Sequence, residues 1–236
     1  MKSLYLLVDL FTLIIPLLFS FHPKIEFYKS WRYFFPANII VAVMFISWDI
    51  FFTSKRIWSF NSDYITGVYF FNQPMEEILF FICIPFSCVF TYYCLDKFYD
   101  LNWKPKAETT FCIIFSSALL LIGFNFWNKH YTSFTLISLG LISLALKFIA
   151  KVNWFGKVIN VYAILTIPFL TVNGILTGTG IKDAVVQYDN SEIIGLRLLT
   201  IPLEDFFYGL ELFLLNVFFY KSLQAKFKET KFARQT

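Results

Sequence analysis

Two pairs of adjacent carboxylates are the residues of this chain best suited to do chemistry. Glu76 and Glu77 follow Pro74 after one intervening residue, and Glu204 and Asp205 follow Pro202 with the same spacing. Each pair opens a long apolar run, and an ionisable residue in a membrane-length segment is a functional-site hypothesis by default. Two such pairs in matching positions predict one site that is built from two halves.

Adjacent carboxyls in an apolar setting can both give and take protons. Burial disfavours the ionised form, two carboxyls in one site cannot both ionise cheaply, and a helix N-terminus favours the anion. One neutral carboxyl beside an ionised one lets an enzyme deliver a proton at one atom and accept it at another. The structural alternative is that a proline followed by acids is an ordinary helix start. Because the motif occurs twice, we expect Glu76, Glu77, Glu204 and Asp205 to be catalytic.

The composition is that of an integral membrane protein. Of the 236 residues, 58% are hydrophobic and only 15% are charged, whereas soluble domains carry roughly 25% charged residues. We expect an all-α membrane protein with about seven transmembrane helices, each built on about 20 mostly apolar residues. The seven segments are residues 3–21, 33–53, 74–95, 108–127, 132–150, 158–177 and 199–222. The net charge of +4 is small, so nucleic acid is not an expected partner.

The N-terminus and the basic loops predict how the chain lies in the membrane. Asp9 interrupts the first run and no small-residue cleavage site follows, so we expect a retained helix rather than a signal peptide. Most Lys and Arg residues fall after the first, third and fifth helices and in the C-terminal tail. Cytoplasmic loops carry the excess of basic residues. We therefore expect a cytoplasmic C-terminus, an outer N-terminus and a location in a bacterial inner (cytoplasmic) membrane.

The acid pairs belong to a longer internal repeat. Tyr64 follows Asp49 by fifteen residues, and Tyr188 follows Asn173 by the same interval. Each tyrosine precedes a glycine-containing link and then an acid helix. We assign these four residues to orienting the carboxyls or relaying protons, at the interface of two parallel three-helix repeats. The predicted parts are a first repeat with helices 1–3 (1–98), helix 4 as a spacer (99–130), a second repeat with helices 5–7 (131–222) and a basic cytoplasmic tail (223–236).

The doubled proline–acid motif in this setting resembles the membrane-integral lycopene β-cyclases. That family includes a small two-subunit bacterial type and fused bacterial, archaeal and fungal forms, and this chain is similar to a fused form. The residues that carry the resemblance are Trp48, Asp49, Trp58, Asn61, 64–67 and 74–77 in the first half, and Asn173, Thr177, Tyr188, Gly195, Arg197 and 201–208 in the second. The second half has Asn173 where the first has Asp49, so the halves are not chemically equivalent.

The resemblance implies an isomerisation, of the intramolecular lyase type, that turns an acyclic end group of lycopene into a β-ionone ring and so yields γ- or β-carotene. A proton adds to C2, the C5=C6 double bond captures the C1 cation, and the proton on C6 leaves. Aromatic faces attract cations, and a dry site keeps water from quenching them. We expect aromatics near the acid pairs to line the substrate, although helix packing is the commoner role for any single one. These residues are Trp48, Trp58, Phe80, Phe81, Phe206, Phe207 and Tyr208.

Cofactors are not expected, because the sequence holds no flavin, nicotinamide or metal motif. Residues 178–180 lack the third glycine of a dinucleotide fingerprint, and the four cysteines have no C-x-x-C spacing. The expected partners are lycopene drawn from the bilayer and membrane lipid. A homo-oligomer, or an association with other carotenoid enzymes, is left open.

Three other functions are compatible with parts of the sequence. A membrane prenyltransferase needs carboxylate-rich motifs for magnesium, and Asp49 with Asn173 is a set poor in charge. A cyclase acting on C50 carotenoids, or one making another ring type, shares the same motifs. A proton-coupled transporter fits the parallel repeat but leaves the resemblance to the lycopene β-cyclases unexplained. A retinal protein is set aside, because the last helix has no lysine before Lys221.

Overall fold

Seven helices make up most of the computed structural model, which describes the backbone of residues 2–233 and the side chains of residues 2–227. A 3₁₀ turn, Phe27–Ser30, precedes the second helix, and a π-helical turn, Ala145–Ile149, ends the fifth. The helices are α1 Leu4–Phe19, α2 Trp31–Ser54, α3 Met75–Phe98, α4 Pro105–Asn125, α5 His130–Leu144, α6 Phe155–Leu176 and α7 Leu203–Ala233.

The protein is an all-α membrane protein, as the composition predicts. Within the described residues, six helices are long and apolar enough to cross a bilayer. The first predicted span is shorter than expected, because α1 covers only the 16 residues Leu4–Phe19. Large apolar side chains such as Phe11, Ile114 and Ile167 are exposed on the outer surface, as lipid contact requires. The predicted tail 223–236 is helical as far as Ala233, and its last three residues lie outside the described part.

Helix packing follows a matching pattern in the two halves of the chain. α1 packs on α3 and α5 packs on α7, while α2 contacts both acid helices, α3 and α7. A buried amide joins the centre, since Asn38 Nδ2 donates to the Phe81 carbonyl at 2.9 Å and to Asn216 Oδ1 at 3.0 Å. These bonds link α2, α3 and α7. The two acid helices are therefore held side by side through α2.

Six short strands connect the helices at the end of the bundle where α3 and α7 begin. The links after α2 and α6 meet there, because β1 and β4 pair antiparallel with Ser59 opposite Gln187. Hairpins β2–β3 and β5–β6 come directly before the acid helices. The strands are β1 Trp58–Phe60, β2 Tyr69–Phe70, β3 Gln73–Pro74, β4 Val186–Tyr188, β5 Arg197–Leu198 and β6 Ile201–Pro202.

The two hairpins share their backbone conformation as well as their position. Phe71 and Leu199 occupy the turns with φ of 56° and 57°, a region that bulky residues rarely adopt. Gly67 and Gly195 precede the hairpins with φ of 86° and 90°. The division of the chain into two parallel repeats stays a prediction, and these matching details favour it.

Candidate active site

The first acid of each pair anchors the link that precedes its helix. Glu76 Oε1 accepts a hydrogen bond from the backbone N–H of Thr66 at 2.6 Å. Glu204 Oε1 accepts one from the backbone N–H of Ile194 at 2.7 Å and another from the Thr132 hydroxyl at 2.5 Å. Both carboxyls are buried, and neither lines the two cavities described below. Glu76 and Glu204 thus hold loops in place at the helix starts.

The second acid of the first pair meets another carboxyl. Glu77 Oε2 accepts a hydrogen bond from the Tyr5 hydroxyl of α1 at 2.7 Å. The Glu77 carboxyl also lies within hydrogen-bonding reach of the carboxyl of Asp49 on α2. Asp49 Oδ1 in turn accepts from the Tyr208 hydroxyl of α7 at 2.8 Å. Three helices therefore converge on this carboxyl pair.

Among the described residues, the hydrogen-bond donors around Asp205, the second acid of the other pair, are all neutral. Asp205 Oδ1 accepts from the Tyr131 hydroxyl at 2.7 Å. Asp205 Oδ2 accepts from Asn173 Nδ2 at 2.7 Å and from the Tyr188 hydroxyl at 3.0 Å. Burial, together with the neighbouring Asp205 carboxyl, raises the pKa of Tyr188 well above its ordinary value. Tyr188 therefore keeps its proton and remains a donor near neutral pH.

A small polar cavity of about 50 Å³ lies between the Glu77 and Asp49 carboxyls on one side and the Asp205 carboxyl on the other. Glu77, Asp49 and Asp205 line it, and so do the tyrosines that bond them: Tyr5, Tyr131, Tyr188 and Tyr208. The strand pair β1–β4 supplies Trp58, Phe60 and Val186 to its wall. Glu77, Asp49 and Asp205 therefore face one shared space.

A larger apolar cavity of about 340 Å³ adjoins the polar one between α1, α3, α6 and α7. Asp205, Asn173, Phe80 and Tyr208 line both cavities, whereas Glu77 lines only the small one. Phe11, which lines the large cavity, is 70% exposed on the outer surface of α1. The large cavity therefore reaches the surface that faces lipid and ends at a carboxylate.

Three of the seven aromatics predicted to line a substrate are at the cavities. These are Trp58, Phe80 and Tyr208. Trp48 packs edge-on against Tyr208, with ring centroids 5.3 Å apart. The other three predicted residues serve helix packing, Phe81 against Phe45, Phe206 against Phe169, and Phe207 against the main core.

The four predicted relay residues are placed differently from one another. Asp49, Asn173 and Tyr188 reach the carboxyls, as described above. Tyr64 contributes its backbone carbonyl, which accepts from the Tyr5 N–H at 3.1 Å, while its side chain packs against the apolar cluster that includes Tyr5 and Ile65. Within the described part of the chain, no hydrogen bond joins the Tyr64 hydroxyl to a carboxyl.

The strand register explains why Tyr188 reaches a carboxyl and Tyr64 does not. Gly67 and Gly195, like Glu76 and Glu204, are 128 residues apart in sequence, and this interval makes Phe60 the counterpart of Tyr188. The β1–β4 pairing is centred on the same interval, since Ser59 lies opposite Gln187 and the two are 128 residues apart. Asp49 and Asn173 are only 124 residues apart. A count that starts from these two residues therefore matches Tyr188 with Tyr64 instead of Phe60.

Sequence reasoning missed several residues of the site. Tyr5 and Tyr131 bond the central carboxyls from the first turns of α1 and α5, far from the acid motifs in sequence. The wall of the large cavity includes Tyr162 and Phe169 of α6, which carry no motif. The matching positions of Tyr5 and Tyr131 at the starts of two helices were the one available signal.

Comparison with known proteins defines the class. The sequence model of the family described as lycopene cyclase matches residues 2–95 and 128–223. The chain belongs to the lycopene cyclase family.

Among individual proteins, the chain is similar to a bifunctional lycopene cyclase/phytoene synthase of Arthroderma gypseum. The two are 28% identical over 104 residues, which cover 37% of this chain and 18% of the fungal protein. No solved structure matches the chain significantly.

Proposed function

We propose that this protein is a lycopene β-cyclase that closes the acyclic end group of lycopene by acid–base chemistry without net redox change. Membership of the lycopene cyclase family supports the reaction class. The observation that carries the proposal is the apolar cavity that runs from the lipid-facing surface to Asp205 and adjoins the Glu77–Asp49 pair. A polyene end group fits such a cavity, and its ring closure needs one proton donor and one proton acceptor.

The cavity wall supplies what a carbocation needs. Its lining is almost entirely apolar, so water has little access to the intermediate. The rings of Phe80, Phe169, Tyr208 and Phe213 lie on this wall. An aromatic face stabilises a nearby cation by about 0.5–2 kcal/mol. These rings can shelter the positive charge without offering a nucleophile.

The reaction balances with groups that the chain itself provides. One proton enters at C2, one C–C bond forms between C1 and C6, and one proton leaves from C6. Because no electrons are gained or lost overall, the proposed cyclase needs no redox cofactor. The proposed substrate is a carotenoid that enters sideways from the bilayer past Phe11.

The proposed setting is a bacterial inner membrane with the C-terminus in the cytoplasm. The end of the bundle opposite the carboxyls supports this orientation, because Lys157 and Lys221 lie there beside Asp96. Basic residues favour the cytoplasmic side. The carboxyl site then lies toward the outer leaflet.

Pigment analysis tests the proposed function. Lycopene-accumulating bacteria that express the chain should turn from red to orange-yellow, and chromatography should show γ- or β-carotene. Unchanged lycopene, with the protein present in the membrane fraction, would refute the proposal. Parallel cultures that accumulate a C50 acyclic carotenoid show whether the longer chain is preferred. A prenyltransferase would instead require an isoprenyl diphosphate and magnesium.

A further inference from the structure

Asp205 is surrounded by groups that stabilise a carboxylate. The Asn173 amide nitrogen can only donate, and the Tyr131 and Tyr188 hydroxyls both donate to Asp205. A carboxyl that accepts two or three such bonds is stabilised as the anion. Arg197 adds positive charge on this side, with its guanidinium carbon 5.9 Å from the ring centroid of Tyr188. Asp205 is therefore prepared to accept a proton.

Glu77 and Asp49 are placed so that they can share one proton. Their carboxyls lie within hydrogen-bonding reach of each other on the wall of one cavity, and each has one tyrosine hydroxyl as a donor, from Tyr5 and Tyr208 respectively. Ionised carboxylates have only acceptor oxygens, so a hydrogen bond between the two forms only when one carboxyl of the pair is protonated. The pair therefore holds a proton that it can give away.

The positions of the carboxyls match the order of the atoms in the substrate. C2 lies near the tip of the acyclic end group, and C6 lies further along the chain. Glu77 lines only the inner, polar cavity, while Asp205 lines both cavities. We propose that the Glu77–Asp49 pair protonates C2 and that Asp205 removes the proton from C6, an assignment that rests on the proposed cyclase function.

The steps can be written with every proton accounted for. Glu77 gives its proton to C2, and the electrons of the C1=C2 double bond form the new C–H bond. The C5=C6 electrons then form the C1–C6 bond, which leaves the positive charge on C5. Asp205 takes the proton from C6, and the electrons of that C–H bond form the C5=C6 double bond of the β ring. Asp205 is then protonated and the Glu77–Asp49 pair lacks one proton.

The small polar cavity provides the route by which that proton returns. Tyr188 bonds Asp205, Tyr208 bonds Asp49, and both hydroxyls line the cavity. Its volume of about 50 Å³ can hold an ordered water, which needs roughly 10–15 Å³ and two to four polar partners. Because the large cavity is apolar, this exchange takes place beside the dry reaction space rather than in it.

The test compares Glu77→Gln with Asp205→Asn in lycopene-accumulating cells, with the ring type determined by mass spectrometry and NMR. Glu77→Gln should lower formation of every ring type by at least about 100-fold. Asp205→Asn should still cyclise some lycopene, but the C5 cation should lose its proton from C4 or from the C5 methyl. Its rings should therefore carry the double bond outside the β position. The reverse pattern, altered rings from Glu77→Gln and none from Asp205→Asn, overturns the assignment.

A second measurement covers variants that form no ring at all. Membranes holding equal amounts of each variant are given lycopene in D₂O buffer, and the recovered lycopene is analysed for deuterium. Reversible protonation at C2 should deuterate lycopene recovered from Asp205→Asn and not from Glu77→Gln. Absence of deuterium from both, with no rings from Asp205→Asn, refutes the assignment. If the wild-type chain forms no ring, the proposed function itself fails.

Discussion

In the first half of the site Glu77 contacts a second carboxyl, whereas in the second half Asp205 receives three hydrogen bonds from neutral groups. The surroundings are otherwise alike, since a tyrosine from the start of α1 or α5 bonds each acid. One exchange accounts for most of the difference: Asp49 in the first half corresponds to Asn173 in the second. Two halves with similar backbones can thus hold a proton at Glu77 and Asp49 and a negative charge at Asp205.

Asp49→Asn should lower turnover more than the other changes, because it gives Glu77 an amide donor like the one that Asn173 gives Asp205. Both central acids would then be stabilised as anions, and the proton donor would be lost. We expect turnover to fall by about 100-fold or more, with the remaining product still carrying β rings. Asp49→Glu should restore a measurable part of the rate, because it restores a carboxyl. Pigment yields at equal protein level provide the measurement, and near-normal turnover of Asp49→Asn would refute the shared-proton pair.

The sequence alone favours a mild effect for Asp49→Asn, because the second repeat already has an amide there. The structure supports the opposite expectation, since the two positions bond carboxyls of different character. The difference lies in side-chain contacts between α2, α3 and α7, which spacing along the chain does not report.

Asn173→Asp is the reciprocal change and should have an intermediate effect. It replaces a donor to Asp205 with a second carboxyl and removes a charge-assisted hydrogen bond. Such a bond contributes about 1.5–3 kcal/mol, so we expect a loss of about tenfold or more in turnover. Because Asp205 then becomes a poorer acceptor, part of the product should carry the double bond outside the β position. An unaltered ring pattern at normal rate would show that Asn173 does not tune Asp205.

Sequence patterns predicted the helical class and the span positions, and they selected both acids of each pair as candidates for catalysis. Those features follow from local composition and from a motif that recurs. The patterns could not separate Glu77 from Glu76, because the two adjacent residues of a helix differ by about 100° in direction. Only the packing decides that Glu77 points to α1 and α2 while Glu76 binds the Thr66 backbone.

The predicted aromatic lining was limited by the same lack of packing information. Phe80 and Phe81 are neighbours, yet Phe80 lines the cavities and Phe81 is buried against Phe45. The α6 part of the cavity carries no motif, and its residues reach the site only because α6 packs beside α3 and α7. Tyr64 was selected by counting from Asp49, and the strand pairing that exposes the four-residue offset is a tertiary contact.

Glu204→Gln should have a smaller effect on chemistry than either central change. The amide retains an oxygen that can accept from the Ile194 N–H and the Thr132 hydroxyl, as Glu204 Oε1 does. We expect a loss of stability of about 1 kcal/mol and a change of turnover well below that of Asp49→Asn. Thermal unfolding in detergent and pigment yield at equal protein level measure the two effects. Glu76→Gln is the matched variant in the first half. Complete loss of ring formation with normal stability would place the first acids in the reaction itself.

Asp9→Asn should have the smallest effect, although Asp9 is as buried as the central acids. Both carboxyl oxygens of Asp9 lack a hydrogen-bond partner among the described residues, and Glu77 and Glu76 are close enough to interact electrostatically. A buried carboxyl without a partner is costly to ionise, so an uncharged amide of the same shape should be tolerated, with turnover changed by less than about threefold. Thr135 of α5, which follows Tyr131 by four residues as Asp9 follows Tyr5, is likewise buried, and Thr135→Val is the matched control. A loss as large as that of Asp49→Asn, seen for Asp9→Asn and not for Thr135→Val, would extend the proton-holding group of the first half to three carboxyls.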